Sequence, residues 1–146
     1  MEIEIKKLHP NAIIPEYAHA GDSGCDLFSV EETIINHGEI GVIKTGLSIA
    51  VPVGFEAQVR PKSGLALKAG LTVLNTPGTV DAGYRGEIGV ILINHGDQYQ
   101  IKAGQKIAQL VICPVVRAKF VEVSELDTTA RGEGSYGSTG LEKCKN

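Results

Sequence analysis

The sequence predicts an all-β fold built as a single domain, and three observations support this expectation. Apolar and polar residues alternate with a period of two over most of the chain. The apolar runs are short, and Gly, Pro or Asn separates them, which is typical of sandwiches, jelly rolls and closed barrels. The length of 146 residues suits one hydrophobic core. These three β architectures stay open at this point.

The predicted strands follow one another along the chain with turn signals between them. They lie in EIEIK near the start, at several places within 33–60, and in 71–75, 87–94, 105–116 and 118–123. One helix is predicted from Ser63 to Lys68, where Ser63 would act as the N-cap and Gly70 would end the helix. The chain becomes polar and glycine-rich at Asp127. We therefore expect residues 1–126 to form the folded body and 127–146 a mobile arm of the same domain.

Composition excludes several classes of protein. The net charge of -3 argues against a nucleic acid as the main partner, and no apolar run is long enough for a membrane helix. Cys25, Cys113 and Cys144 form no CxxC pair, and the N-terminal MEIEIKKLHP lacks the apolar core of an export signal. A reduced, cytoplasmic location is the expectation. The four histidines share no metal-ligand spacing.

Glycines cluster in the tail segment RGEGSYGSTG, residues 131–140. Glycines allow backbone amides to converge on an anion, and Arg131, Ser138 and Thr139 add donors that suit phosphate oxygens. Tyr136 has no core to join in this segment and could stack on a base. The alternative interpretation is a disordered glycine tail.

A second candidate site is NTPGTVDAGYRG, residues 75–86, where turn signals flank Asp81. A carboxylate held after a β-branched residue could take a proton from water. The alternatives are that Asp81 is an ordinary turn aspartate and that Tyr84 is an aromatic at the end of a strand.

Three further segments carry polar residues that suit a phosphorylated ligand. RPKSGLAL, residues 60–67, runs from a strand into a helix start, where Ser63 could bind phosphate or simply cap the helix. AGDSGCDL, residues 20–27, has two aspartates in a glycine-rich turn, which could serve Mg²⁺ through water or be merely solvated. Gln109 lies in an apolar strand and must either satisfy nearby backbone or face a ligand.

Each segment alone is weak evidence, but together and in this order they resemble the five motifs of the trimeric dUTPase family. The matching segments are AGDSGCDLFS, RPKSGLALK, NTPGTVDAGYRGEIGV, GQKIAQLVI and RGEGSYGSTG. The resemblance implies a jelly-roll-like distorted β-barrel with one short helix and a flexible C-terminal arm. It also implies a homotrimer with active sites shared between subunits, and hydrolysis of dUTP to dUMP and pyrophosphate. That reaction would keep uracil out of DNA and supply dUMP for dTMP synthesis.

The same resemblance implies a role for each matching residue. Asp81 would be the general base that activates the attacking water, and Asp26 would help to place Mg²⁺ through water. Tyr84 would lie under the deoxyribose and exclude a 2′-hydroxyl. The residues that would contact uracil are Asn75, Tyr136 and, in a β-hairpin, the backbone of Thr79, Val80 and Gly89. The residues that would contact the phosphates are Lys62, Ser63, Gly64, Gln109, Arg131, Gly137, Ser138 and Thr139.

The departures from the family pattern remove no catalytic group. Lys62 and Lys106 stand where the family often has Arg, Tyr136 replaces the usual Phe, and Ser29 stands where Ala is common. Two other functions compete with dUTP hydrolysis. A dCTP deaminase would need a glutamate at position 91, where this chain has Ile91. A jelly roll that only binds nucleotide would need Asp81 or the arm to have been lost.

Overall fold

The computed structural model describes residues 1–136 and 138, and this part of the chain contains eleven strands and one helix. The strands are β1 (Glu4–Lys7), β2 (Cys25–Phe28), β3 (Thr33–Ile35), β4 (Ile40–Lys44), β5 (Leu47–Ala50), β6 (Phe55–Arg60), β7 (Leu71–Val73), β8 (Gly78–Val80), β9 (Gly89–Asn94), β10 (Tyr99–Ile101) and β11 (Lys106–Pro114). The helix is α1 (Ser63–Ala69), between β6 and β7. The all-β prediction with one short helix is confirmed.

The strands form four antiparallel sheets. Their strand orders are β1-β5, β10-β3, β4-β9-β7 and β2-β11-β6-β8. Within the described residues these sheets do not close into a continuous barrel. The architecture is jelly-roll-like, because neighbours in a sheet come from distant parts of the chain. The largest sheet matters most for function, since its four strands carry or adjoin most of the candidate site.

The core between the sheets is aliphatic, as expected for a chain with no tryptophan. The period-two alternation is visible on β9, where Val90, Leu92 and Asn94 are buried and the residues between them are not. The largest fully buried apolar side chains are Leu27, Ile35, Ile43, Leu47, Leu71, Leu92, Ile101 and Ile107. Truncating a buried Leu or Ile to Ala costs about 2–5 kcal/mol, so this core is the main support of the site.

The helix is confirmed, but its predicted N-cap is wrong by one residue. Lys62 occupies the cap position with extended backbone, and no side chain caps the helix. The carbonyl of Lys62 accepts the amides of Leu65 and Ala66 at 3.1 and 3.0 Å, so the first turn begins there and Ser63 is already helical. Gly70 ends the helix at φ +67°, as predicted, and its amide bonds back to Ala66. The hydroxyl of Ser63 is therefore not needed by the helix.

The predicted strand at 118–123 is not present. After β11 ends at Pro114, the described residues form no further strand, and they are exposed. Phe120 and Val116 are 95% and 93% exposed, and Leu126 is 85% exposed. An alternating segment forms a strand only where another strand offers free backbone groups, and no strand among residues 1–136 pairs with it. Among the described residues, no helix has the length and apolar character needed to cross a bilayer.

Candidate active site

Three of the sequence segments meet around the carboxylate of Asp26. Asp26 lies on β2 opposite Gln109 of β11, and Gln109 lies opposite Arg60 of β6. Lys62 follows β6 directly and its ammonium pairs with Oδ1 of Asp26. The ammonium of Lys106 pairs with Oδ2 at 2.7 Å. Sheet pairing thus gathers residues that are up to 80 positions apart in the chain around one carboxylate.

Two lysines keep Asp26 ionised although it is largely buried. Burial opposes ionisation, but hydrogen bonds and charge from Lys106 and Lys62 outweigh it and hold the pKa of Asp26 below its ordinary value. The Asp26 side chain is 12% exposed, but Lys62 and Lys106 are 29% and 50% exposed, so solvent screens the pair with Lys106 more than the pair with Lys62. The role of Lys106 as a partner of Asp26 was not predicted from sequence, because nothing in the chain order indicates that β2 and β11 are neighbours.

These ion pairs should make the free energy of unfolding depend on pH in the acid range. Because the pKa of Asp26 is lower in the folded than in the unfolded state, the pairs stabilise the fold above the ordinary value of 3.8 and stop doing so as pH falls through the folded pKa. We expect Asp26→Asn to unfold at a lower urea concentration than wild type at pH 7. The gap between the two midpoint concentrations should narrow below about pH 4. Urea titrations at several pH values measure this gap. A constant gap, or an equal one for the exposed Asp97→Asn, would contradict the prediction.

Gln109 satisfies neighbouring backbone, which was one of its two predicted alternatives. Its Nε2 donates to the carbonyl oxygen of Pro61 at 3.0 Å. Gly24 makes room for it, because a Cβ at Gly24 would lie 2.6 Å from Gln109 Oε1. Gln109 therefore ties β11 to the segment that leads into α1. Its side chain is partly exposed.

A basic depression of about 510 Å³ lies on the other side of Lys62. Its charged walls are Lys62, Lys68 and Lys106, and Gly64 lies at its edge. Ser63 is exposed at the same helix start. The ammonium groups of Lys62 and Lys106 already pair with Asp26, but each has further N–H donors. Together with Lys68 they suit a polyphosphate, because ammonium groups donate to phosphate oxygens without a fixed geometry.

Asp81 and Tyr84 lie on the loop of residues 81–88, which joins β8 to β9 and is termed the site loop. Both side chains are exposed, and no described residue donates a hydrogen bond to the Asp81 carboxylate. The Tyr84 hydroxyl donates to the carbonyl oxygen of Glu87 at 3.0 Å. A depression of about 410 Å³ adjoins Asp81 and is lined also by Glu56 and Arg117. The loop thus offers an uncommitted carboxylate next to a fixed aromatic ring.

The expected β-hairpin between β8 and β9 is absent. Strand β8 pairs with β6, whereas β9 pairs with β4 and β7, so the two strands belong to different sheets. Thr79 and Gly89 are exposed, and Val80 is buried in the core. Asn75 is exposed and packs against Gly78, where a Cβ would lie 3.2 Å from Asn75 Nδ2. The ends of β8 and β9 are therefore not joined by backbone pairing.

Asp26 and Asp81 lie at opposite corners of the largest sheet. Strand β2 is at one edge and β8 is at the other, so three interstrand spacings separate them, about 14 Å. Asp26 is level with Arg60, whereas Asp81 follows Val80, the partner of Ala57. That offset adds about 14 Å along the strands. One chain alone therefore does not bring these two carboxylates to one triphosphate.

The arm residues lie apart from both groups. Arg131 Nε donates to the carbonyl oxygen of Gly134 at 3.1 Å, and the Ser138 amide donates to Ser135 at 3.1 Å, so both contacts are local to the arm. Tyr136 is fully exposed. The other two predicted arm residues, Gly137 and Thr139, lie outside the described residues.

Comparison with known proteins gives one consistent result. The family model for dUTPase matches residues 10–140. The chain is 56% identical to the deoxyuridine 5′-triphosphate nucleotidohydrolase of Alkaliphilus metalliredigens over 95% of this chain and 97% of that protein. It is 58% identical to the protein of the same name from Clostridium tetani, over 94% of this chain and 96% of that protein. This all-β chain belongs to the dUTPase family.

Solved structures agree with the sequence relatives. A mutant dUTPase of Staphylococcus bacteriophage 80alpha, solved with dUpNHpp, superposes with a TM-score of 0.91 at 30% identity and covers 96% of this chain and 99% of its own. A mutant dUTPase of phage phi11 of S. aureus, described as showing the coordination of a structural Mg(II) ion, superposes with a TM-score of 0.82 at 28% identity. Coverage is 88% of this chain and all of the phage chain.

Proposed function

We propose that Asp81 drives the chemistry of this chain, which hydrolyses dUTP to dUMP and pyrophosphate. Its carboxylate accepts a proton from a water molecule, the water oxygen bonds to the α-phosphorus, and the bond to the β-phosphate oxygen breaks so that pyrophosphate leaves. The observation that carries the assignment is the free, exposed Asp81 carboxylate on the site loop of a chain with all five family motifs. An exposed carboxylate leaves room for a water molecule within hydrogen-bonding distance, which a general base requires.

The remaining site residues are proposed to bind and orient the substrate. Asn75 and the backbone of Thr79, Val80 and Gly89 would contact uracil in the slot between β8 and β9, and Tyr84 would lie under the sugar. Lys62, Ser63, Gly64 and Gln109 would contact the phosphates. The assignment is supported by Lys62 and Gly64, which line the basic depression, and by the exposure of Ser63 at the same helix start. Positioning and charge neutralisation carry most of the catalysis in phosphoryl transfer.

We propose Mg²⁺ as the cofactor, held by the substrate phosphates and only indirectly by protein. Each oxygen of Asp26 already accepts one lysine, so its remaining lone pairs suit water molecules bound to the metal. No cluster of three or more His, Cys, Asp or Glu occurs among residues 1–136 and 138. Mg²⁺ commonly keeps several waters and uses one carboxylate with phosphates, so this donor set fits. Bound Mg²⁺ supplies positive charge to the phosphates.

A homotrimer with shared active sites is proposed as the working assembly. The separation of Asp26 and Asp81 across one sheet supports it, because a second chain would have to complete each site. The exposed side chains of Val116, Phe120 and Leu126 give further support, since contact with another copy would bury them. Full activity from a particle of monomer mass in light scattering would contradict it. The free thiols of Cys25 and Cys113 fit the proposed cytoplasmic location.

Parallel substrate assays test the proposed function directly. A slot lined by backbone donors and acceptors reads the uracil edge, and cytosine would leave buried groups unpaired at position 4. We expect pyrophosphate release from dUTP with a kcat/KM at least about 100-fold above that for dCTP or dTTP. Comparable values for dUTP and dCTP would favour a relative of the deaminases instead.

A further inference from the structure

The C-terminal half of the site loop is fastened to residues 45–48, which we term the anchor segment. The anchor segment consists of the two residues between β4 and β5 and the first two residues of β5. Two of the contacts use anchor side chains, one uses a loop side chain, and one is purely backbone. They are Ser48 Oγ to the Arg85 carbonyl at 2.7 Å, Thr45 Oγ1 to the Ile88 carbonyl at 2.6 Å, the Gly46 amide to Glu87 Oε1 at 2.8 Å, and the Ile88 amide to the Leu47 carbonyl at 2.8 Å.

Glu87 accepts a hydrogen bond from a backbone amide in a closely packed turn. Gly46 has a φ of +66°, and a Cβ added there would lie 2.7 Å from His9 Cβ and 2.9 Å from Val30 Cγ1. Surrounding atoms therefore hold this turn on several sides. An ionised carboxylate makes a stronger hydrogen bond to an amide than a neutral acceptor does. Glu87 is thereby fixed in space by a rigid partner.

The position of Tyr84 depends in turn on Glu87. The Tyr84 hydroxyl donates to the backbone carbonyl of Glu87, as described above. The ring also packs directly over Gly86, where a Cβ would lie 2.3 Å from the hydroxyl oxygen. A displacement of Glu87 would therefore move the hydroxyl end of the Tyr84 ring and change the tilt of that ring.

We infer that Glu87 is a positioning residue for sugar discrimination: by binding the Gly46 amide it fixes the site loop, and with it the Tyr84 ring that excludes a ribose 2′-hydroxyl. The inference rests on the proposed function, because the contact between Tyr84 and the sugar is part of it. Small displacements of a positioning group have large effects on rate, so a side chain that touches no substrate can still set selectivity.

The test compares kcat/KM for dUTP and for UTP in Glu87→Ala. We expect the ratio of the two values to fall by about tenfold, because a loosened ring admits the ribose. Glu87→Gln keeps an acceptor oxygen in place and should restore the ratio to within about twofold of wild type. Ser48→Ala removes a second anchor contact and should lower the ratio in the same direction. If Glu87→Ala does not fold, the dUTP to UTP ratio of Ser48→Ala tests whether the anchor contacts control sugar selectivity.

Glu39→Ala is the matched control. The Glu39 carboxylate also accepts a backbone amide within a turn, that of Asn36 at 2.8 Å, but it lies at the opposite end of β4 from the anchor segment. Its loss should leave the dUTP to UTP ratio unchanged. An unchanged ratio in both Glu87→Ala and Ser48→Ala would overturn the inference while leaving the proposed function intact. Wild-type protein that fails to hydrolyse dUTP would overturn the proposed function itself.

Discussion

Replacing Asp81 with Asn is expected to lower kcat for dUTP by a factor on the order of 10² or more. Asn has nearly the same shape but cannot take the proton of the attacking water. Asp81 is exposed and receives no hydrogen bond from a described residue, so folding should be unaffected. The expected signature is a large fall in kcat with little change in the binding of a non-hydrolysable dUTP analogue, measured by calorimetry.

Asp97→Asn provides the matched control for this experiment. Asp97 is another exposed aspartate in a turn, between β9 and β10, and its loss changes the net charge by the same amount. Turnover in that variant should equal wild type. If Asp81→Asn retained wild-type turnover, another group would have to activate the water and the assignment of Asp81 would be wrong.

Deleting residues 131–146 is expected to abolish most turnover while leaving the folded body and its assembly intact. The described arm residues contribute no buried side chain to the body, so the core loses nothing. A bound triphosphate would give Arg131 and Ser138 anionic partners and would give Tyr136 a flat ring. Fixing the backbone in one conformation costs about 1–2 kcal/mol per residue, and these contacts with the substrate would offset that cost if the arm orders on binding. Closure and catalysis would then be coupled.

The deletion is compared with full-length protein for dUTP hydrolysis, circular dichroism and sedimentation. Unchanged dichroism and mass with a severe loss of kcat is the expected result. A second protein ending after Gly140 keeps the fifth motif and removes only the last six residues, so it should stay active. Full activity of the protein that ends at Ala130 would show that the arm is only a glycine-rich tail.

Short strands limited what the sequence could predict about the fold. Strands β9 and β11, which have sustained alternation, were predicted close to their observed bounds, at 87–94 and 105–116. Strands β2, β8 and β10 were missed, because each has only three or four residues and adjoins turn-forming Gly, Asp or Gln. Their existence depends on pairing with β11, β6 and β3, which are distant in sequence. The predicted strand at 118–123 is not formed for the converse reason: its residues suit a strand, but it has no partner strand in the part of the chain that the structure describes.

The candidate site was predictable in its residues but not in its contacts. The motifs named Asp26, Lys62 and Gln109, but only the register of β2, β11 and β6 brings them together. The capping role of Ser63 was wrong because the Lys62 carbonyl begins the helix, a backbone contact that residue type does not reveal. The bond between Glu87 and Gly46 joins residues 41 positions apart and has no signal in either segment.

The diagonal placement of Asp26 and Asp81 on one sheet has a genetic consequence. If sites form between copies, a chain that lacks one carboxylate still donates the other to a different site. If Asp26→Asn is inactive as well as Asp81→Asn, the two variants would then complement each other when their subunits are mixed, because some sites would draw an intact residue from each parent. In the same arrangement, each altered chain would contribute to more than one site of its assembly. The fraction of active sites that contain an altered chain would therefore exceed the fraction of altered chains.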